Sequence, residues 1–111
     1  MNKRTKALAI PKKVKDAVFL RDGGRCILCG SPLGRPECHV VRRSQSGRGI
    51  EQNIVTLCEN CHRGYDFGEN LWRFGKGATR ESLYCHIVAH LKGFYPGWNR
   101  ADMVYQKGEE E

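Results

Sequence analysis

Residues 37–62 read ECHVVRRSQSGRGIEQNIVTLCENCH. A short β-type run, Cys38 to Val41, carries His39. A turn-rich basic loop follows, with SQSGRG at Ser44 to Gly49. Asn53 then leads into a second β-type run, Ile54 to Leu57. The stretch ends in Cys58-x2-Cys61-His62, inside a segment from Glu59 to about Asp66 that reads as helical. Two strands joined by a loop of about a dozen residues and followed by a helix are the pattern expected here.

Upstream, Cys26-x2-Cys29 answers Cys58-x2-Cys61. Two pairs of thiolates are the ligand set that tetrahedral Zn²⁺ takes, at about 2.3 Å per bond, and a closed site of four cysteines is structural. Gly23, Gly24 and Gly30 flank the first pair and allow the tight turn that lets both thiolates reach one ion. In zinc-finger peptides such binding contributes about 10–16 kcal/mol, enough to dominate a small fold. The N-terminus is basic and lacks the apolar core of a secretory leader, and no apolar run approaches the roughly 20 residues of a membrane span. The cysteines are therefore read as metal ligands in a reducing, cytoplasmic setting rather than as disulfides. Cys38 and Cys85 fall outside the tetrad, and Cys85 reads as a small buried hydrophobe on a helix.

The chain has 111 residues and a net charge of +7, which suits a polyanionic partner such as DNA. A merely soluble basic surface is the alternative. Residues 1–10, with Lys3, Arg4 and Lys6, read as a flexible basic arm. Residues 11–106 read as one domain and 107–111 as an acidic tail. Pro11 to Leu20 is expected to be a helix stopped by Gly23, with Val14, Ala17, Val18 and Phe19 as its apolar stripe. A second flanking helix is expected from Arg80 to Lys92, capped by Thr79 and ended by Gly93. Its apolar stripe is Leu83, Ile87, Val88 and Leu91. Glu69 to Ala78 is glycine-interrupted and aromatic. Phe94 to Tyr105 should pack back on the core. His86 and His90 share a helical face but bracket Ile87, not a glutamate, and read as structural or surface histidines.

The order Cys26-x2-Cys29, His39 with Val40-Val41 behind it, Asn53, then Cys58-x2-Cys61-His62 resembles the HNH endonucleases. More narrowly it resembles the small HNH proteins encoded by bacteriophages. The likeness covers about residues 20–66. It implies a small α+β protein: a ββα-metal (His-Me finger) core stapled by the four-cysteine zinc site and flanked by N- and C-terminal helices. It implies that His39 is the general base, that Asn53 orients the base through the hairpin, and that His62 holds a catalytic divalent cation, Mg²⁺, Mn²⁺, Ni²⁺ or Zn²⁺. It also implies a DNA substrate, a monomer or weak dimer, the host cytoplasm, and an association with phage terminase or other packaging proteins.

The residue chemistry agrees with such a reaction. An imidazole near its free pKa can take a proton from water, and a divalent ion can stabilise the leaving oxygen of a phosphodiester. Arg42, Arg43 and Arg48 could hold backbone phosphates. The departure is Cys38, where the family usually has Asp or His as a second ligand. A thiolate suits Mg²⁺ poorly, so either the metal is softer and Cys38 helps to hold it, or another oxygen donor replaces Cys38. Asp66, four residues after His62, shares its helical face and is a candidate replacement. Glu37 is another, because strand alternation sets 37 and 39 on one side and 38 on the other. A non-catalytic zinc-ribbon nucleic-acid binder, or a packaging adaptor, would use the same cysteines and charge without His39 or His62.

Overall fold

The computed structural model describes residues 2–106; the expected acidic tail lies outside the described residues. In chain order the elements are α1 (Lys3–Leu8), α2 (Lys12–Arg21), β1 (Arg35–His39), β2 (Ile54–Leu57), α3 (Glu59–Phe67) and α4 (Arg80–Phe94). Short 3₁₀ turns lie at Arg43–Gln45, Glu51–Asn53, Leu71–Phe74 and Arg100–Met103. This is a small α+β fold whose two-stranded sheet and α3 form the ββα unit.

β1 and β2 are antiparallel, with Cys38 opposite Val55 and His39 opposite Ile54; the register is irregular between Arg35 and Cys38. Every residue of β2 is buried, and β1 is buried at its Cys38 and His39 end. Asn53 ties its connecting segment together. Its Oδ1 accepts from Val41 N at 2.8 Å, while its Nδ2 donates to Val41 O at 3.1 Å and Arg48 O at 2.8 Å. A buried amide that satisfies three main-chain groups fixes the loop far more firmly than its SQSGRG composition suggests.

α2 follows Pro11 and ends at Asp22, as its flanking residues predict, with Val18 fully buried and Phe19 turned outward. Asp22 closes a buried network. Its carboxylate accepts from Thr56 N (2.9 Å), pairs with Arg21 (2.8 Å) and meets His90 Nε2 (2.8 Å). Arg21 also donates to the carbonyls of Glu51 and Ile54, both at 2.7 Å. These contacts join α2, β2 and α4.

α4 has its expected cap at Thr79, reciprocated by Ser82, and buries Leu83, Ile87, Val88 and Leu91. Gly93 does not end it; the helix runs to Phe94, with Tyr95 N bonding back to Leu91 O. Cys85 is exposed rather than buried, because it lies off the Leu83–Ile87–Leu91 stripe. The C-terminal segment returns onto the core as expected. Trp98 donates to Gln52 O at 2.6 Å, and Met103 is buried.

The N-terminal residues expected as a flexible arm form a helix instead. Asn2 caps α1, Leu8 is buried, Arg4 donates to Arg43 O (3.1 Å), and Gly49 N donates to Ala7 O (3.0 Å). A Cβ on Gly49 would overlap the Ala9 carbonyl, so only glycine lets the loop lie against residues 7–10.

Candidate active site and metal centres

α3 supplies ligands to two clusters. The Sγ atoms of Cys26, Cys29, Cys58 and Cys61 lie within 4.8 Å of one another, with Cys29 and Cys58 at 3.6 Å. Four thiolates around one zinc ion are separated by about 3.8 Å, which follows from tetrahedral bonds of about 2.3 Å. The knuckle before β1 and the start of α3 therefore present a ligand set that fits a closed structural zinc site. Three of the four cysteines are buried.

The second cluster is Cys38, His62 and Asp66, whose ligand atoms also fall within 4.8 Å. His62 Nε2 lies 3.0 Å from Asp66 Oδ2, the i, i+4 pairing expected on a helix. Strand alternation predicted that Cys38 would turn away. Its thiol is wholly buried, and α3 brings His62 and Asp66 to it. Burial and the Asp66 charge push the Cys38 thiol well above its ordinary pKa, against the opposing pull of Arg42. A sulfur, a nitrogen and an oxygen donor at this spacing fit one divalent cation. Glu37 is not in the cluster; it pairs with Lys15 at 3.3 Å.

His62 and Asp66 line a cleft of about 530 Å³ together with His39, Arg42, Arg43 and Glu37. The two histidines thus share one pocket. His39 closes β1, and its Nε2 lies 2.8 Å from Leu8 O. A carbonyl only accepts, so the neutral ring carries its proton on Nε2 and keeps the lone pair on Nδ1. Burial lowers the His39 pKa below the ordinary imidazole value, as do Arg43 and His62, while the Leu8 bond and Asp66 oppose the shift. Leu8 had no sequence signal as a site residue, because its contribution is a main-chain oxygen.

Of the three expected phosphate contacts, Arg42 and Arg43 border the cleft, with Arg42 held by Tyr65 O at 3.1 Å. Arg48 is outside the cleft wall. Its guanidinium lies over the Tyr105 ring, and its carbonyl accepts from Asn53. Asn53 is wholly buried and acts on the hairpin rather than in the cleft. His90 belongs to the Asp22 network and His86 is exposed. No helix among the described residues is long and apolar enough to cross a membrane.

Comparison with known proteins agrees with the geometry. Residues 26–66 match the HNH endonuclease family model. Over 80 residues the chain is 32% identical to the carbamoyl phosphate synthase small chain of Acinetobacter baylyi; the match takes in 68% of this chain and only 20% of that protein. No solved structure matches significantly. The family match begins at the first zinc-type cysteine and ends at Asp66, the last residue of the second cluster. Residues 26–66, the stretch that matches the HNH endonuclease model, hold both clusters and the histidine between them.

Proposed function

We propose that this protein is a metal-dependent endonuclease that hydrolyses DNA phosphodiester bonds in this cleft. The observation that carries the reading is the shared pocket of His39, His62 and Asp66, with His39 held by the Leu8 carbonyl.

Water is a poor nucleophile at neutral pH, so a base must take its proton as it attacks phosphorus. His39 offers Nδ1 for that proton, while Nε2–H stays bonded to Leu8 O and fixes the ring plane. The imidazolium formed in that step keeps the Leu8 bond, and that bond strengthens as the ring becomes charged. Arg42 and Arg43 would hold non-bridging phosphate oxygens and orient the strand. Asn53 contributes by holding Val41 and Arg48 in place, and with them the loop between His39 and β2. Cys38, His62 and Asp66 would hold the catalytic cation, which when bound polarises the phosphate and steadies the leaving oxygen. The sulfur donor favours a borderline ion such as Zn²⁺ or Ni²⁺ over Mg²⁺.

One such cleft cuts one strand at a time, so supercoiled plasmid should pass through the nicked circle before linear product. The resemblance to phage-encoded HNH proteins suggests a role in phage DNA processing beside the packaging terminase, in the host cytoplasm. The test is plasmid cleavage by zinc-loaded protein with Mg²⁺, Mn²⁺ or Ni²⁺ added singly, beside His39→Ala. Nicking by the wild type alone supports the assignment. Binding by both proteins without cleavage under any metal would instead make the protein a zinc-ribbon nucleic-acid binder.

A further inference from the structure

Beside the catalytic cleft lies a second groove, of about 240 Å³, lined by Arg42, Arg80 and Arg100 with Gln45, Tyr65 and Tyr84. Arg42 belongs to both walls, so the groove continues the cleft. The three guanidiniums come from three separate parts of the chain: the turn after β1, the first turn of α4, and the 3₁₀ turn at Arg100–Met103. Nothing in the sequence joins them.

Each guanidinium is anchored. Arg42 Nη2 and Arg80 Nε both donate to Tyr65 O, at 3.1 and 3.0 Å, and Arg80 Nη2 donates to Asp66 O at 2.7 Å. Arg100 Nη2 donates to Gln45 Oε1 at 3.1 Å. Two of the three stack over rings: Arg42 on Tyr65 and Arg100 on Tyr84, each 5.2 Å from the centroid. Stacking leaves the planar edge of a guanidinium as its donor face, which matches the forked geometry of phosphate oxygens. Most of these anchors are neutral carbonyls and rings. Among the described residues the only carboxylate lining the groove is Glu81, and neither Arg80 nor Arg100 forms an ion pair there; Arg42 Nε lies 4.0 Å from Asp66 Oδ1. The groove therefore concentrates positive charge that its own walls do not neutralise.

We propose that this groove is a second phosphate subsite, which grips the backbone of the DNA strand a short way along from the bond being cut. The proposal rests on the DNA reading of the cleft. Arg42 would mark the junction, Arg80 and Arg100 the far side.

Neutralised phosphates release counterions, so each lost contact lowers the slope of log K against log salt by about 0.9. Duplex binding is measured by fluorescence anisotropy over a KCl series, on His39→Ala protein so that nothing is cut. Arg100→Ala and Arg80→Ala should each reduce the slope by about one, and the double variant by about two. Arg73→Ala, which borders neither groove nor cleft, should leave it unchanged. Arg80 also holds the end of α3, so its loss could unfold that end; Arg100 is exposed and tests the subsite by itself. In His39-containing protein, Arg100→Ala should raise KM several-fold and leave kcat unchanged. A slope equal to that of Arg73→Ala overturns the proposal, even where cutting persists. Slope changes without any cutting overturn the nuclease reading and leave the subsite standing. A parent protein that binds no duplex overturns both. Inorganic phosphate at matched ionic strength separates the two sources of the same chemistry. If it binds the groove only when Arg100 is present, yet displaces DNA no more than chloride does, the groove is a free-phosphate site and the strand assignment fails.

Discussion

The two clusters that meet on α3 have three or four ligands each, all within 4.8 Å of one another, yet they differ in composition and exposure. Cys61 and His62 are adjacent residues, and one helical step of about 100° sends the first to the buried thiols and the second to the cleft. The Cys26–Cys29–Cys58–Cys61 set is uniform, has four donors and is largely buried. A tetrahedral ion there has no position left for a reactant. The Cys38–His62–Asp66 set has three donors of three kinds, and two of them border open space. An ion there keeps room for water or phosphate oxygens. Closure and uniformity suit a staple; an incomplete, mixed set beside His39 suits the proposed chemistry.

The largest effect should come from opening the closed site. Cys58→Ser, or removal of zinc with a strong chelator, should abolish cooperative folding, because about 10–16 kcal/mol of metal binding equals or exceeds the roughly 5–15 kcal/mol of net stability usual for a small domain. Circular dichroism and a thermal melt read this directly. Cys38→Ser, one residue from His39, should still melt cooperatively. If both variants fold equally well, the division between staple and chemical site is wrong.

His39→Ala comes next. It should lower cleavage by about 10²–10⁴-fold, or roughly 3–5 kcal/mol of transition-state stabilisation, the usual contribution of a positioned base. DNA affinity should stay within a few-fold of the wild type. A gentler perturbation reaches the same base through its support: Gly49→Ala pushes against the Ala9 carbonyl and should shift Leu8 O away from His39. Its kcat should fall by about tenfold, as positional losses commonly do, with KM little changed.

A third buried polar group, outside both clusters, tests whether stability and chemistry separate. The Asp22 carboxylate is wholly buried, which alone would raise its pKa. His90, Arg21 and the Thr56 amide more than reverse that and bring it to about 2, from an ordinary 3.8. A depressed carboxylate stabilises the fold fully above its unfolded value; that contribution fades as pH falls from 3.8 toward 2. At pH 7 Asp22→Asn strips the counter-charge from Arg21 and should cost about 3 kcal/mol in a denaturant melt. Cleavage by the fraction still folded should be unaltered.

How much of this could be seen in the chain itself follows from what each feature depends on. Ligand pairs, the order of hairpin and helix, the Thr79 cap and the His62–Asp66 pairing are local, so spacing exposes them. The Leu8 bond is long-range and made by a carbonyl, and no side chain announces it. The basic composition around it reads as a loose arm, although Leu8 and the Gly49 contact pin it. The Arg80 and Arg100 groove escapes for the same reason: three distant arginines converge only when α4 and the C-terminal turn have packed. Cys85 is a different case. It lies two residues after Leu83, off the stripe, so helical periodicity already places it outside.

Cys38 gives the smallest effect and the sharpest reading of the mixed cluster. In strand alternation it should turn from His39's side, yet it meets His62 and Asp66, the α3 pair that shares the cleft with His39. A thiolate prefers borderline ions, whereas Mg²⁺ demands oxygen donors in near-ideal octahedral geometry. Cys38→Asp replaces sulfur by oxygen at the same place. Relative cleavage with Mg²⁺ against Ni²⁺ should then move toward Mg²⁺ by about tenfold, a difference of about 1.4 kcal/mol. Activity alone could mislead, so the sulfur itself should be observed. With the four-cysteine site first filled by zinc, an added equivalent of Co²⁺ should show thiolate-to-cobalt charge-transfer absorption in wild-type protein and none in Cys38→Asp. Absence of that band in the wild type would mean that Cys38 is only a buried side chain beneath the cleft. His62 and Asp66 would then hold the ion by themselves, and the second cluster would be an ordinary oxygen and nitrogen site.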